Sequence, residues 1–383
     1  MLRAIVCTSV LLAAVVSTTA CGPQAEAPAQ ADQSKTFFPG TVQTYGLDLT
    51  PADRDHLTEL YALRQMDPCG FVDRKTLEDN GHKDFSYTYT AAHAIAVEGV
   101  SPRFPIGGDG CTIAFPSMKV GLELSVAAGE RRANDRQFDP DPAHPGVMRR
   151  TSMCTFRAPI PLSVLDGAPA SMRDPMLEVT PINIADGRVN FDDTVMCELG
   201  GVIAGGVAAQ IDANGVPVHS DKSSTAARFL TADPCAAAAD VHAVGFEWRQ
   251  PSPEAQWPTT WRHPSVCEFL REKSADRPAT RTAIVKYGLT VWSDDVVESP
   301  SGNLPVRSER DDVELLDFSS ADSPTCSVVA KTDLSIEPAT VGTGAADLVP
   351  PTPVVSVWLH PPAGENCADQ AKNVALAAVQ RAR

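Results

Sequence analysis

The chain has 383 residues, a net charge of −16, 32 prolines and 10 cysteines, and it is 43% hydrophobic and 21% charged. That balance excludes wholesale disorder, and the acidic excess excludes a surface built to neutralise a nucleic-acid backbone. Ten cysteines with no C-x-x-C spacing argue against a reducing cytosol, and the length calls for more than one hydrophobic core.

The first element in chain order is an address. Arg3 supplies a positive charge, Ala4 to Val16 is an almost wholly apolar run of 13 residues, and Ser17, Thr18, Thr19 and Ala20 are small. Thirteen residues are too few for a bilayer, which needs roughly 20, so residues 1–20 read as a secretory signal peptide. Thr18–Thr19–Ala20–Cys21 resembles the lipobox of bacterial lipoproteins, with Thr18 where Leu is usual. The resemblance implies that Cys21 becomes the acylated N-terminus and fixes the chain to the outer face of the cell membrane. Residues 21–49 then read as the lipidated cysteine and a flexible tether, most plainly over 22–36, where Pro, Ala and Gln dominate. Arg outnumbers Lys 23 to 9, a bias typical of high-GC bacteria.

With Cys7 removed in the signal and Cys21 acylated, eight cysteines remain: Cys69, Cys111, Cys154, Cys197, Cys235, Cys267, Cys326 and Cys367. They form two sets of four. Asp67–Pro68–Cys69 opens the first and Asp233–Pro234–Cys235 the second, 166 residues later. Lys119–Val120–Gly121–Leu122 follows the first opening and Lys286–Tyr287–Gly288–Leu289 the second, while Cys154/Cys326 and Cys197/Cys367 lie 172 and 170 residues apart. Such near-constant offsets read as an internal duplication. The expectation is a first domain over 50–211, a linker over 212–231 and a second domain over 232–383.

A capped helix is expected over 50–66, starting at Thr50–Pro51–Ala52–Asp53, with Leu57, Leu60, Tyr61 and Arg64 at helical spacing. Alternation predicts strands at Lys119–Ala127 and Lys286–Trp292, and β-branched enrichment predicts them at Met176–Ile184 and Pro353–Leu359. Residues 235–244 suit a short helix with Asp233 as its cap, and Cys197–Ile211 and Cys367–Ala382 read as closing helices. The fold class is therefore α+β: two tandem disulfide-stapled domains, each an antiparallel or mixed sheet with an opening and a closing helix.

The lipobox, the Asp-Pro-Cys openings and the cysteine before the last Ala/Val helix resemble cell-envelope lipoprotein domains of actinobacteria. They are also similar to the extracellular sensor domain of certain mycobacterial Ser/Thr kinases. The resemblance implies a disulfide-stapled module and supplies no catalytic residue. Four cysteines in each half permit three pairings. Pairing neighbours in sequence (Cys69–Cys111, Cys154–Cys197, Cys235–Cys267, Cys326–Cys367) is favoured because it ties the opening helix to the sheet and the closing helix to a strand. The other pairings stay open.

Catalytic signatures are sparse. There is no G-x-S-x-G and no H-E-x-x-H, and the acidic pairs lack the rhythm of a calcium loop, so no catalytic residue, metal ligand or cofactor is assigned. Gly201/Gly205 match G-x-x-x-G and read as a packing seam within the domain. All five tryptophans fall in the second half, and Trp248, Trp257 and Trp261 cluster beside Arg249 and Arg262. Flat aromatic rings beside arginine suit an envelope glycan, a peptide or a protein partner; the competing reading is a core plug beneath a Pro-rich loop. The functional expectation is a membrane-anchored binding module that does not bind nucleic acid. A cell-wall hydrolase with dispersed carboxylates and an architectural or assembly lipoprotein are its rivals.

Overall fold

The computed structural model describes residues 37–72, 74–88, 106–107, 110–115, 120–129, 138–150, 154–183, 194–219, 225–248, 264–271, 281–290, 292, 305–319, 325–334, 352–360 and 367–382. Residues 1–36, which hold the expected signal peptide and Cys21, lie outside these residues, as do Trp257 and Trp261.

The chain is α+β with two antiparallel sheets. Helix α1 (Pro51–Gln65) starts on a capping box: the Thr50 hydroxyl accepts from Asp53 N, and the Asp53 carboxylate accepts from Thr50 N at 2.9 Å. Two backbone donors that the first turn would leave orphaned are thereby satisfied. A 3-10 turn (Pro68–Phe71) and the short helix α2 (Arg74–Asp79) follow. The first-half strands are β1 (Ser86–Thr88), β2 (Ile106–Gly107), β3 (Gly110–Phe115), β4 (Val120–Ala127), β5 (Asp139–Pro140), β6 (Met148–Arg150), β7 (Thr155–Pro159) and β8 (Met176–Asn183). All but β2 form one sheet in the order β1-β3-β4-β8-β7-β6-β5. Its inner face, including Ile113, Leu122, Leu124, Phe156 and Val179, is covered by helix α3 (Thr194–Asn214) through Leu199, Ile203 and Val207. These helix residues recur at one-turn spacing, as burial of a single stripe demands.

The second half repeats the plan. Helix α4 (Thr225–Thr231), a 3-10 turn (Pro234–Ala237) and helix α5 (Ala238–Ala243) precede β9 (Glu247–Trp248), β10 (Val266–Arg271), β11 (Arg281–Thr290), β12 (Val306–Arg310), β13 (Val313–Asp317), β14 (Cys326–Lys331) and β15 (Thr352–Leu359), and helix α6 (Ala368–Ala382) closes the chain. The strand order is β12-β13-β14-β15-β11-β10-β9. Val328, Ala330, Val355, Val357, Val285 and Tyr287 face α6, which lays Ala371, Val374, Ala375, Ala378 and Val379 on them. Small residues along this stripe let the helix backbone approach the sheet closely. Lys372, at the rim of α6, lies 2.7 Å from Asp317 at the end of β13. Burial alone would push the Asp317 carboxyl up, but the bonds from Lys372 and Ser319 outweigh it and hold the group below its ordinary range.

The duplicated Asp-Pro-Cys openings have a local cause. Asp67 Oδ1 accepts from Cys69 N, and Asp233 Oδ1 accepts from Cys235 N, each at 2.9 Å. Proline then supplies the φ that a first helical position needs. Each opening is thus a 3-10 turn that presents its cysteine to a strand. The disulfides join sequence neighbours: Cys69–Cys111, Cys154–Cys197, Cys235–Cys267 and Cys326–Cys367, with Cα separations of 5.1 to 5.8 Å. In each half one bridge ties the opening turn to the sheet and the other ties the closing helix to a strand end.

Two sequence-based boundaries need correction, and the relation between the halves, which the sequence leaves open, is settled. Residues 37–49 are not tether: Phe37 and Phe38 are buried in the first core, while Leu49 is buried in the second with Val42, Tyr45 and Leu47 against it. Apolar residues at 37, 38, 42, 45, 47 and 49 carry too much burial free energy to stay in water, at about 2 kcal/mol for each large side chain. Residues 212–231 are not a plain linker either. Helix α3 runs on to Asn214, Val216 joins the first core, Val218 bridges Met66, and Phe229 of α4 is buried in the second core. Finally, the first half does not stop at its own sheet. β2 pairs with β11 (Gly107 with Gly288, Ile106 with Leu289), and Leu57 of α1 belongs to the second core while Leu60 and Leu63 belong to the first. The two halves are in contact.

Candidate functional site

Among the residues that meet at the contact between the halves are three polar ones, Arg64 buried and Tyr45 and Asp233 partly so. Asp233 spends Oδ1 on its own 3-10 turn and offers Oδ2 to the first half. Arg64 Nη2 donates to it at 2.7 Å and the Tyr45 hydroxyl at 2.8 Å. Arg64 Nη1 reaches the Pro264 carbonyl at 3.4 Å. The Arg64 side chain is 2% exposed and that of Asp233 20%. Burial, reinforced by the Asp233 charge and hydrogen bond, pushes the Tyr45 hydroxyl well above its ordinary range, so it stays a donor. Tyr287, stacked on Phe229 at 5.6 Å, is pushed the same way by burial, and its hydroxyl donates to the Ala378 carbonyl at 3.1 Å. One carboxylate is therefore shared among the residue 37–49 segment, α1 and the second domain's opening turn. This arrangement ties the two domains together.

A second polar constellation lies at the edge of the first domain. His144 Nδ1 is 2.6 Å from Asp141 Oδ2, and Asp141 is buried while the imidazole is 26% exposed. A carboxylate accepts only, so the pair places a ring proton on Nδ1. The imidazole lies against α3 at Gly201 and Gly205, where a Cβ would stand 2.8 Å from His144 Cε1 and 2.5 Å from His144 Cδ2. The G-x-x-x-G spacing thus makes room for a histidine ring. Alanine at 205 would favour helix but must displace a side chain close to its own backbone. Gly205→Ala is expected to lower stability by about 1–2 kcal/mol in a urea titration. On a His144→Ala background the same change should be neutral or stabilising. Equal losses on both backgrounds would show that the ring is not what excludes the methyl. An Asp–His pair is the base-and-orienter half of a hydrolytic site, and no nucleophile is placed beside it among the described residues.

The tryptophan cluster is only partly placed. The β9–β10 ladder sets Trp248 opposite Phe269, a residue of the second core, and Trp257 and Trp261 lie outside the described residues. Of the other two, Trp358 stands on β15 opposite Ser327 and Ile284, on the sheet face turned away from α6. Trp292 donates from Nε1 to Glu314 at 3.1 Å, with Lys331 Nζ 5.6 Å from its ring centre. Trp292 also packs on a small second layer formed by Leu316, Phe318, Val329 and Val354 on that same face. The second sheet therefore carries apolar residues on both faces, where alternation alone suggests a solvated outer face.

Sequence reasoning passed over Tyr45 and His144 as functional positions. Tyr45 falls in the presumed tether, and His144 sits in a Pro-rich run with no metal-ligand spacing. Arg64 carried a signal: it falls on the apolar helical stripe with Leu57 and Leu60, where an arginine needs a partner. Among the described residues no three His, Cys, Asp or Glu side chains converge to hold a metal ion. Comparison with family models, with curated proteins and with solved structures returns no match.

Proposed function

We propose that this chain is a lipid-anchored extracytoplasmic envelope protein that acts as a ligand- or partner-binding module. The observation that carries the reading is the pairing of the eight cysteines from Cys69 to Cys367 in four disulfides, behind a leader-like stretch over residues 1–20 that precedes Cys21. Structural disulfides persist in oxidising compartments, and an acyl chain on Cys21 leaves no odd thiol over. The binding role rests on the segment that joins β9 to β10 at the edge of the second sheet, whose sequence carries Trp257 and Trp261 between Arg249 and Arg262. An envelope glycan, a peptide or a protein is the class of partner that such residues recognise.

Two measurements test the two parts of the reading. Cys21→Ala should shift the protein from the membrane fraction to the medium; unchanged retention would remove the lipid anchor. Tryptophan emission should move when the folded protein is titrated with cell-wall glycans or peptides. Constant emission with every ligand would remove the binding surface while leaving the anchor standing.

A further inference from the structure

We propose that Arg149 is an anion-binding residue at the edge of the first domain, taking a phosphate or a similar oxyanion. The inference does not depend on the lipid anchor or on the tryptophans. Arg149 lies on β6, register-paired with Phe156 of β7 and so on the inner face of the sheet, the face that receives α3. Its guanidinium carbon stands 5.4 Å from the centre of the Phe156 ring, and Nη2 is 4.0 Å from Cys154 Sγ. Cys154 is bridged to Cys197, the fourth residue of α3, so the guanidinium stands beside that helix's first turn.

What singles out this arginine is what does not answer it. Arg149 Nε is shut off from solvent with no acceptor. Arg64, Arg157, Arg307 and Arg381 each meet a carboxylate within 3.0 Å, whereas Arg149 forms no ion pair among the described residues. Asp139, its register partner on β5, does not close on it, and Asp141 is taken by His144. Among the described residues an aromatic face and a sulfur are what touch this partly desolvated charge, and such contacts are a poor return, because a cation–π contact gives about 1 kcal/mol where desolvation costs several. An oxyanion supplies the missing charge, and the guanidinium fork matches its paired oxygens.

The test uses the mature full chain carrying Cys21→Ala. Inorganic phosphate at constant ionic strength should raise the unfolding midpoint by about 2 °C at tenfold excess over its Kd, relative to chloride. Arg149→Met should abolish the rise, Arg149→Lys should keep part of it, and Arg150→Met, whose residue lies on the opposite face of β6, should keep all of it. No rise in the parent protein, or an equal rise in Arg149→Met, would overturn the proposal. So would a rise that appears only after Asp139→Asn, because Asp139 would then be the true partner of Arg149. Co-sedimentation with phosphatidylglycerol vesicles but not phosphatidylcholine vesicles, lost in Arg149→Met, would assign the oxyanion to a lipid headgroup. Phosphate stabilisation without that sedimentation would assign it to a soluble phosphate.

Discussion

Reducing the four disulfides in native buffer is expected to unfold both domains, with loss of the cooperative thermal transition at 25–37 °C. The bridges close loops of 32 to 43 residues. Chain-entropy arguments assign each such loop about 4 kcal/mol, so two bridges in one domain amount to roughly 8 kcal/mol, comparable to the whole stability of a domain. The positions make the loss specific. Cys197 lies in the first turn of α3 and Cys367 immediately precedes α6, and α3 and α6 each cover one face of a sheet. Without the bridge, docking of either helix must restrain a long loop unaided. Cys326→Ala/Cys367→Ala should therefore lower the stability of the second domain by about 3–4 kcal/mol, and Cys154→Ala/Cys197→Ala should do the same in the first. Circular dichroism melts with and without dithiothreitol, alongside a count of free thiols, measure this. A fully reduced protein that melts within a few degrees of the oxidised one would show that the cores alone hold the fold.

Much of this architecture is legible in the sequence for one physical reason: it is written in local signals. Thr50–Pro51–Ala52–Asp53 starts a helix because its own side chains satisfy its first turn. Asp67 and Asp233 open their turns through the next two residues. Strands β4, β8, β11 and β15 show in alternation or β-branching, and the duplication shows in the cysteine offsets. What escapes is non-local. Nothing near Tyr45 says that its hydroxyl reaches Asp233, 188 residues away. Nothing near Ile106–Gly107 says that this stretch extends the other half's sheet. The residue 37–49 segment reads as tether because its apolar residues follow neither period, yet two cores share them. The glycines of α3 are the instructive intermediate. Their spacing is visible in the chain, but the ring that fills it belongs to a turn some 60 residues earlier. For the site the balance is poorer: tryptophan placement rests on backbone register at 248, and Arg149 differs from other arginines only through absent partners, which no linear pattern records.

The second large effect is expected at the junction between the halves. Asp233→Asn should destabilise the protein by about 3–5 kcal/mol, because it leaves the Arg64 guanidinium buried with a carbonyl as its remaining partner at 3.4 Å. For a chain of this size melting in one transition that corresponds to a fall in Tm of roughly 5 °C. Arg64→Met should cost less, about 2 kcal/mol, since the Asp233 side chain keeps the Tyr45 hydroxyl and some access to water. The double substitution should cost less than the sum of the two, because each single change pays for the charge it strands. The thermogram should change shape as well as position. Leu57 and Leu63 place α1 in both cores, β2 crosses to the second sheet, and Arg64 locks the contact. With the lock intact one transition is expected for both domains; with Asp233→Asn the two should begin to melt separately. Calorimetry of the wild type, both single variants and the double variant decides the matter. Additive losses would show that Arg64 and Asp233 do not act as a pair, and a single sharp transition in Asp233→Asn would show that α1 and β2 couple the domains without it.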